Sequence, residues 1–99
     1  GNSLGQINLE IPSEISISNA YPNPFNPSTS IDIHLPYNRF VDLSIYNIMG
    51  QRVQILHSGI MNSGTNKVTW NAPNITSGIY FIKFESDNTI KTQKVLLVK

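Results

Sequence analysis

From Ser30 onward, apolar and polar residues alternate along the chain with the period of two that a half-buried β-strand requires. In Ser30-Ile-Asp-Ile-His-Leu35, the residues Ile31, Ile33 and Leu35 fall on one face, and Asp32 and His34 on the other. Val41, Leu43 and Ile45 then stand opposite Asp42 and Ser44. Val53 and Ile55 mark a returning strand, and Ile60-Met61 a very short apolar pair between turns at Ser58-Gly59 and Asn62-Ser-Gly64. In Lys67-Val-Thr-Trp70, Val68 and Trp70 are in phase, which directs the indole to the core. Tyr80, Ile82 and Phe84 share a face within residues 79–85. In residues 89–98, Val95 and Leu97 point inward and Lys94 outward.

Punctuation between these runs is turn chemistry. Pro36-Tyr-Asn-Arg39 reads as a turn or crossover, and Asn47-Ile-Met-Gly50 as a turn with Gly50 at positive φ. Residues 71–78 form a loop, and Ser86-Asp-Asn88 a tight hairpin. Residues 31–35 and 41–45 could pair as a hairpin, setting His34 opposite Asp42, or could cross between two sheets. The crossing is the favoured expectation.

Upstream lies Tyr21-Pro-Asn-Pro-Phe-Asn-Pro-Ser-Thr29. Pro22, Pro24 and Pro27 fix their own φ and keep the residues before them out of the helical region. This stretch is read as a stiff strap along the edge or end of a β-domain, pinned by the rings of Tyr21 and Phe25. Residues 10–18 alternate loosely through Ile11, Ile15 and Ile17, with Pro12 and Ser13 interrupting, and predict a short edge strand. Residues 1–13 are read as a linker or frayed start, and 14–99 as the domain. With about seven strands at intervals of about 8–12 residues and no helical periodicity, the expected fold is all-β. Its expected form is a small antiparallel immunoglobulin-like β-sandwich without a disulfide, since the chain has no cysteine.

Composition narrows the function classes. Ninety-nine residues suit one domain with a modest core. A net charge of +1 from scattered basic residues is a poor footing for nucleic acid, and no apolar run is long enough for a membrane span. The chain opens on Gly rather than Met and is read as a piece of a longer protein.

An enzyme needs converging polar groups. His34 and His57 lie on different segments without a carboxylate at metal-ligand spacing. Asp32 and Asp42 read as solvent-facing strand positions, and Glu85 and Asp87 as the border of a turn. Neither catalysis nor a cofactor is expected. Trp70 with Tyr21, Tyr37, Tyr46 and Tyr80 raises a carbohydrate-binding alternative, for which Tyr37 beside Pro36 is the better exposed ring.

Five motifs in order carry a resemblance. They are the proline-rich opening at residues 21–29, Val41-Asp-Leu-Ser-Ile-Tyr-Asn-Ile-Met-Gly50-Gln-Arg-Val53, and Ser63-Gly-Thr65 before Val68-Thr-Trp70. Ser77-Gly-Ile-Tyr80 and the closing Lys94-Val-Leu-Leu-Val-Lys99 complete the set. Together the chain resembles the type A C-terminal sorting domains of the type IX (Por) secretion system. That resemblance implies a non-catalytic β-sandwich that directs an N-terminal cargo domain of the same chain through the outer-membrane translocon of a Gram-negative bacterium. Recognition by the translocon and its sorting and cleavage machinery is implied, with release to the medium or attachment at the cell surface. No direct insertion into the membrane is implied.

The matching positions are Pro22, Asn23 and Pro24, then Gly78 and Tyr80, then Lys94, Val95 and Lys99. The terminal strand is expected to offer backbone groups for strand addition. The opening also resembles the flagellar hook-cap immunoglobulin-like domain, which points to a structural or assembly role. Met61-Asn62 stands where small residues often precede the Ser-Gly-Thr turn.

Overall fold

The structure, a computed structural model, describes residues 14–99. Its strands are β1 (Ser16–Ile17), β2 (Ser28–Leu35), β3 (Arg39–Tyr46), β4 (Arg52–Met61), β5 (Gly64–Asn71), β6 (Gly78–Ser86) and β7 (Thr89–Leu97). They form two antiparallel sheets, β1-β2-β5 and β4-β3-β6-β7. In immunoglobulin nomenclature these are A-B-E and C′-C-F-G, a seven-stranded sandwich. The proposed linker and the first part of the expected edge strand, residues 1–13, lie outside the described residues.

The inward residues are those that the alternation marks. Ile31, Ile33 and Leu35 of β2 meet Val41, Leu43 and Ile45 of β3, Ile82 and Phe84 of β6, and Val95 and Leu97 of β7 in one core. Strands β2 and β3 belong to different sheets, so the connection between them crosses the sandwich. His34 consequently faces Ser16 and Thr65 rather than Asp42. Gly50 has φ 80°, in the left-handed region the turn after β3 needs.

Strand β4 departs from expectation. Ser58-Gly59 is not a turn: β4 runs from Arg52 to Met61, and its pairing with β3 is unbroken from His57 to Met61. Leu43 pairs with His57 but Ser44 with Ile55, and Ile45 pairs with Gln54 but Tyr46 with Arg52. Leu56 and Val53 are therefore bulged residues. Each bulge inverts the facing of the residues beyond it, so Val53 and Ile55 are exposed while Leu56 packs against the core. Strand β4 is also a sheet edge, and two bulges make a poor template for another chain.

Candidate functional site

Residues 18–27 pass from one sheet to the other. At Tyr21 the strap pairs antiparallel with β2, exchanging backbone hydrogen bonds with Ser30 at 2.9 and 3.1 Å. At Phe25 it pairs in parallel with the end of β7: Phe25 N–H donates to the Leu96 carbonyl at 2.9 Å and Val98 N–H to the Phe25 carbonyl at 3.0 Å. Two side-chain amides complete the clasp from opposite sides. Asn23 Nδ2 donates to the Lys94 carbonyl and its Oδ1 accepts from Leu96 N–H. Gln93 Oε1 accepts from Ala20 N–H at 2.7 Å, and its Nε2 donates to the Ser18 carbonyl at 3.0 Å. The Thr29 hydroxyl, buried, donates to the Pro22 carbonyl at 2.7 Å. The peptide bonds preceding Pro22, Pro24 and Pro27 are cis.

Only one of the two strap rings is an anchor. Phe25 is 1% exposed, whereas Tyr21 is 81% exposed. The expectation that both rings pin the strap is corrected on this point: Tyr21 is held by its backbone, and the small Ala20 is buried beside it in sequence. Phe25 packs on Trp70 with ring centroids 5.2 Å apart, and Trp70 meets the edge of Tyr80 at 5.4 Å and 73°. These tilted and edge-on contacts suit the quadrupoles of the rings. The trio joins the strap, β5 and β6 through the core. Trp70 is 1% exposed, and its indole N–H donates to Gln54 Oε1 of the opposite sheet at 3.0 Å, so it offers no platform to a sugar.

The Gly-x-Tyr motif opens β6. Gly78 has φ 152°, where side-chain-bearing residues are rarely found, and no atom lies within 4 Å of the position a Cβ would take. Backbone conformation rather than lack of space asks for glycine. Two residues on, the Tyr80 hydroxyl donates to the Thr76 carbonyl at 2.6 Å. This bond, from near the start of strand F back to the backbone just upstream, is the arrangement of a tyrosine corner. It satisfies the phenol while the ring stays in the core. The loop is held further by Ala72 N–H on the Pro27 carbonyl at 2.9 Å and Lys99 Nζ on the Pro73 carbonyl at 2.8 Å.

The residues marked in the sequence therefore gather at one end of the sandwich. Gly78 pairs with Leu97 and Tyr80 with Val95, while Asn23 holds Lys94 and Leu96. Pro22, Asn23, Pro24, Lys94 and Lys99 are exposed, whereas Tyr80 and Val95 are buried. The outward backbone groups of Lys94, Leu96 and Val98 that the clasp engages are not open to an incoming strand, contrary to the expectation of strand addition there. Sequence reasoning missed Ser18, Ala20 and Gln93, whose contacts span more than seventy residues and leave no local period.

The other polar groups stay apart. His34 Nδ1 lies 3.2 Å from Thr65 Oγ1 on one sheet and His57 Nε2 lies 3.2 Å from the Gly59 carbonyl on the other. Asp32 is on β2, while Asp42 on β3 accepts from Ser44 Oγ at 2.8 Å and faces Arg52 at 3.8 Å. Among the described residues no three His, Asp or Glu side chains are grouped as metal ligands would be. Asp87 binds Arg39, and this hydrogen bond, outweighing the desolvation that opposes it, raises the guanidinium pKa above its ordinary value. Tyr37, an exposed ring, lies under the same guanidinium at 4.6 Å.

The family described as the secretion system C-terminal sorting domain matches residues 19–99, from the strap through β7. PorZ of Porphyromonas gingivalis, described as an essential bacterial surface component of the type-IX secretion system, has a solved structure similar to this one. It is 21% identical with a TM-score of 0.54, covering 86% of this chain and 11% of that chain. At that identity the likeness concerns the fold, and this chain spans only about a tenth of the length of PorZ. No curated protein matches the chain. With the family matched across both sheets and the clasp that joins them, the chain belongs to the secretion system C-terminal sorting domains.

Proposed function

We propose that this chain is a non-catalytic address: a domain of residues 14–99 that directs a cargo domain of the same polypeptide through the type IX secretion system. The cargo would leave the periplasm of a Gram-negative bacterium for the cell surface or the medium, read by the translocon and its sorting and cleavage machinery. The family match over residues 19–99 carries this reading. It is supported by the convergence of sequence-distant motifs on one end of the fold, where exposed Pro22, Asn23, Pro24, Lys94 and Lys99 are offered for contact. Gly78, Tyr80 and Val95 act by setting the shape that presents them.

The test appends the full chain to a fluorescent protein carrying a signal peptide. Export is compared between a host with type IX secretion and the same host lacking a working translocon. Fluorescence at the surface or in the medium of the competent host alone is the expected result. Retention in the periplasm of both would end the proposal.

A further inference from the structure

The outer faces of the two sheets differ in chemistry. On the three-stranded sheet the outward pairs are Ser30 with Thr69, Asp32 with Lys67 and His34 with Thr65, all polar. On the four-stranded sheet Ile79 pairs with Leu96 and Tyr46 with Phe81, which in turn pairs with Lys94. Their in-line neighbours Ile45, Tyr80, Ile82, Val95 and Leu97 are buried, so this set faces outward. Ile48, 71% exposed, projects beside it between two open hollows. One, of about 320 Å³, is lined in part by Tyr46, Phe81 and Lys83, and the other, of about 190 Å³, in part by Ser77, Gly78 and Ile79. An apolar cluster of this kind on one side of a small sandwich whose other side is wholly polar marks an interaction surface.

Charge on this face says what kind of surface fits it. Lys83 Nζ lies over the Tyr46 ring at 5.4 Å, and Lys94 sits beside Phe81. Among the described residues neither lysine forms an ion pair. Asp42, on the same face, is already turned to Arg52 and Ser44, and Glu85 lies toward the far end of β6. Two lysines without acids of their own among the described residues, set at fixed positions beside an apolar cluster, are matched by a protein surface that carries carboxylates at those two positions.

We infer that the outer face of the four-stranded sheet around Ile48, Ile79, Phe81 and Leu96 docks a protein of the secretion machinery whose contact surface is apolar at its centre and carboxylate-bearing at the positions facing Lys83 and Lys94. This rests on the sorting function proposed above and adds a face of the sheet to the exposed residues of the strap end, since the strap already engages the β7 edge from Lys94 to Val98. Side chains flat on a sheet supply the apolar centre, and the lysines fix the orientation of the partner.

The experiment uses the fusion of the full chain in the type IX host. One variant carries Lys83→Glu with Lys94→Glu, another Ile48→Asp, and a control carries Lys67→Glu on the polar sheet. Near-UV circular dichroism and thermal melting of each purified chain confirm folding. The expected result is a drop in export of about tenfold or more for the two face variants, with the control exporting as the parent does. Folded face variants that export normally overturn the inference while leaving the sorting function standing. Failure of the parent fusion to leave the periplasm overturns both. Sedimentation of the purified chain, alone and with vesicles containing anionic phospholipid, supplies the remaining outcomes. A dimer, or vesicle binding, that disappears with Lys83→Glu and Lys94→Glu would give the face to a second copy or to a membrane, and would overturn the inference. A monomer that ignores the vesicles supports it.

Discussion

The side-chain amide of Asn23 acts as a peptide unit for β7: its Oδ1 takes the Leu96 N–H at 3.0 Å and its Nδ2 gives to the Lys94 carbonyl at 3.2 Å. Each amide end meets the partner it can satisfy, which fixes its orientation. Asn23→Ala removes both bonds at an exposed edge, where water can replace them in part. A loss of about 1–2 kcal/mol is expected. Native-state hydrogen exchange should show the Leu96 amide quickening by more than that of Leu97, which faces β6.

Phe25 and Tyr21 flank the same prolines yet differ in what they hold. Phe25→Ala would empty a site against Trp70 and should cost about 3–5 kcal/mol. Tyr21→Ala, exposed, should stay within about 0.5 kcal/mol of the parent. Urea unfolding of the two variants measures the contrast, and equal losses would contradict the anchoring assigned to Phe25.

Tyr80→Phe keeps the ring against Trp70 and deletes only the bond to Thr76. The expected cost is about 1 kcal/mol, a fall in melting temperature of about 4–8 °C. Tryptophan emission should be unchanged, because the indole keeps its packing and its bond to Gln54.

Asp87 combines φ 51° with its contact to Arg39. Asp87→Gly loses the ion pair but welcomes the backbone, whereas Asp87→Ala loses the pair and is strained. Thermal melts should place the alanine variant about 1 kcal/mol below the glycine variant.

Removal of residues 94–99 takes Val95 and Leu97 out of the core together with the contacts of the clasp. The truncated chain should lose its near-UV dichroism. Lys99→Gln, which gives up one exposed bond to Pro73, should melt within a few degrees of the parent. Loss of export on truncation therefore reports folding as well as recognition, and exposed substitutions separate the two.

Most of the architecture is legible in the chain because period-two alternation survives wherever a strand is regular. Ile31, Ile33 and Leu35 declare their face, and Tyr80, Ile82 and Phe84 do the same. Strand β4 hides because its bulges at Val53 and Leu56 break that period, and because Gly59, an ordinary turn signal, stands inside the ladder. At the candidate site the motif residues can be named from the chain but not their division of labour. Two aromatic residues in one proline-rich stretch give no sign of which turns inward; that depends on the path over β2 and β7. The reciprocal amides of Asn23 and Gln93 are likewise invisible, since each finds its partners on a segment some seventy residues away. The tyrosine corner is half visible: Gly78 and Tyr80 stand out as a unit, with the acceptor at Thr76 only four residues back from the phenol.

The clasp also sets the order in which this fold can be completed. Its bonds bridge sequence separations of 71 to 75 residues. A polypeptide emerging N-terminus first therefore carries the strap joined to β2 but without its bonds to β7 until that strand has emerged. Contacts of such range close late and slowly, since the intervening loop must first be drawn together. Strap and β7 thus mark the sandwich as complete: a chain lacking β7 cannot display the end of the sandwich that both segments build.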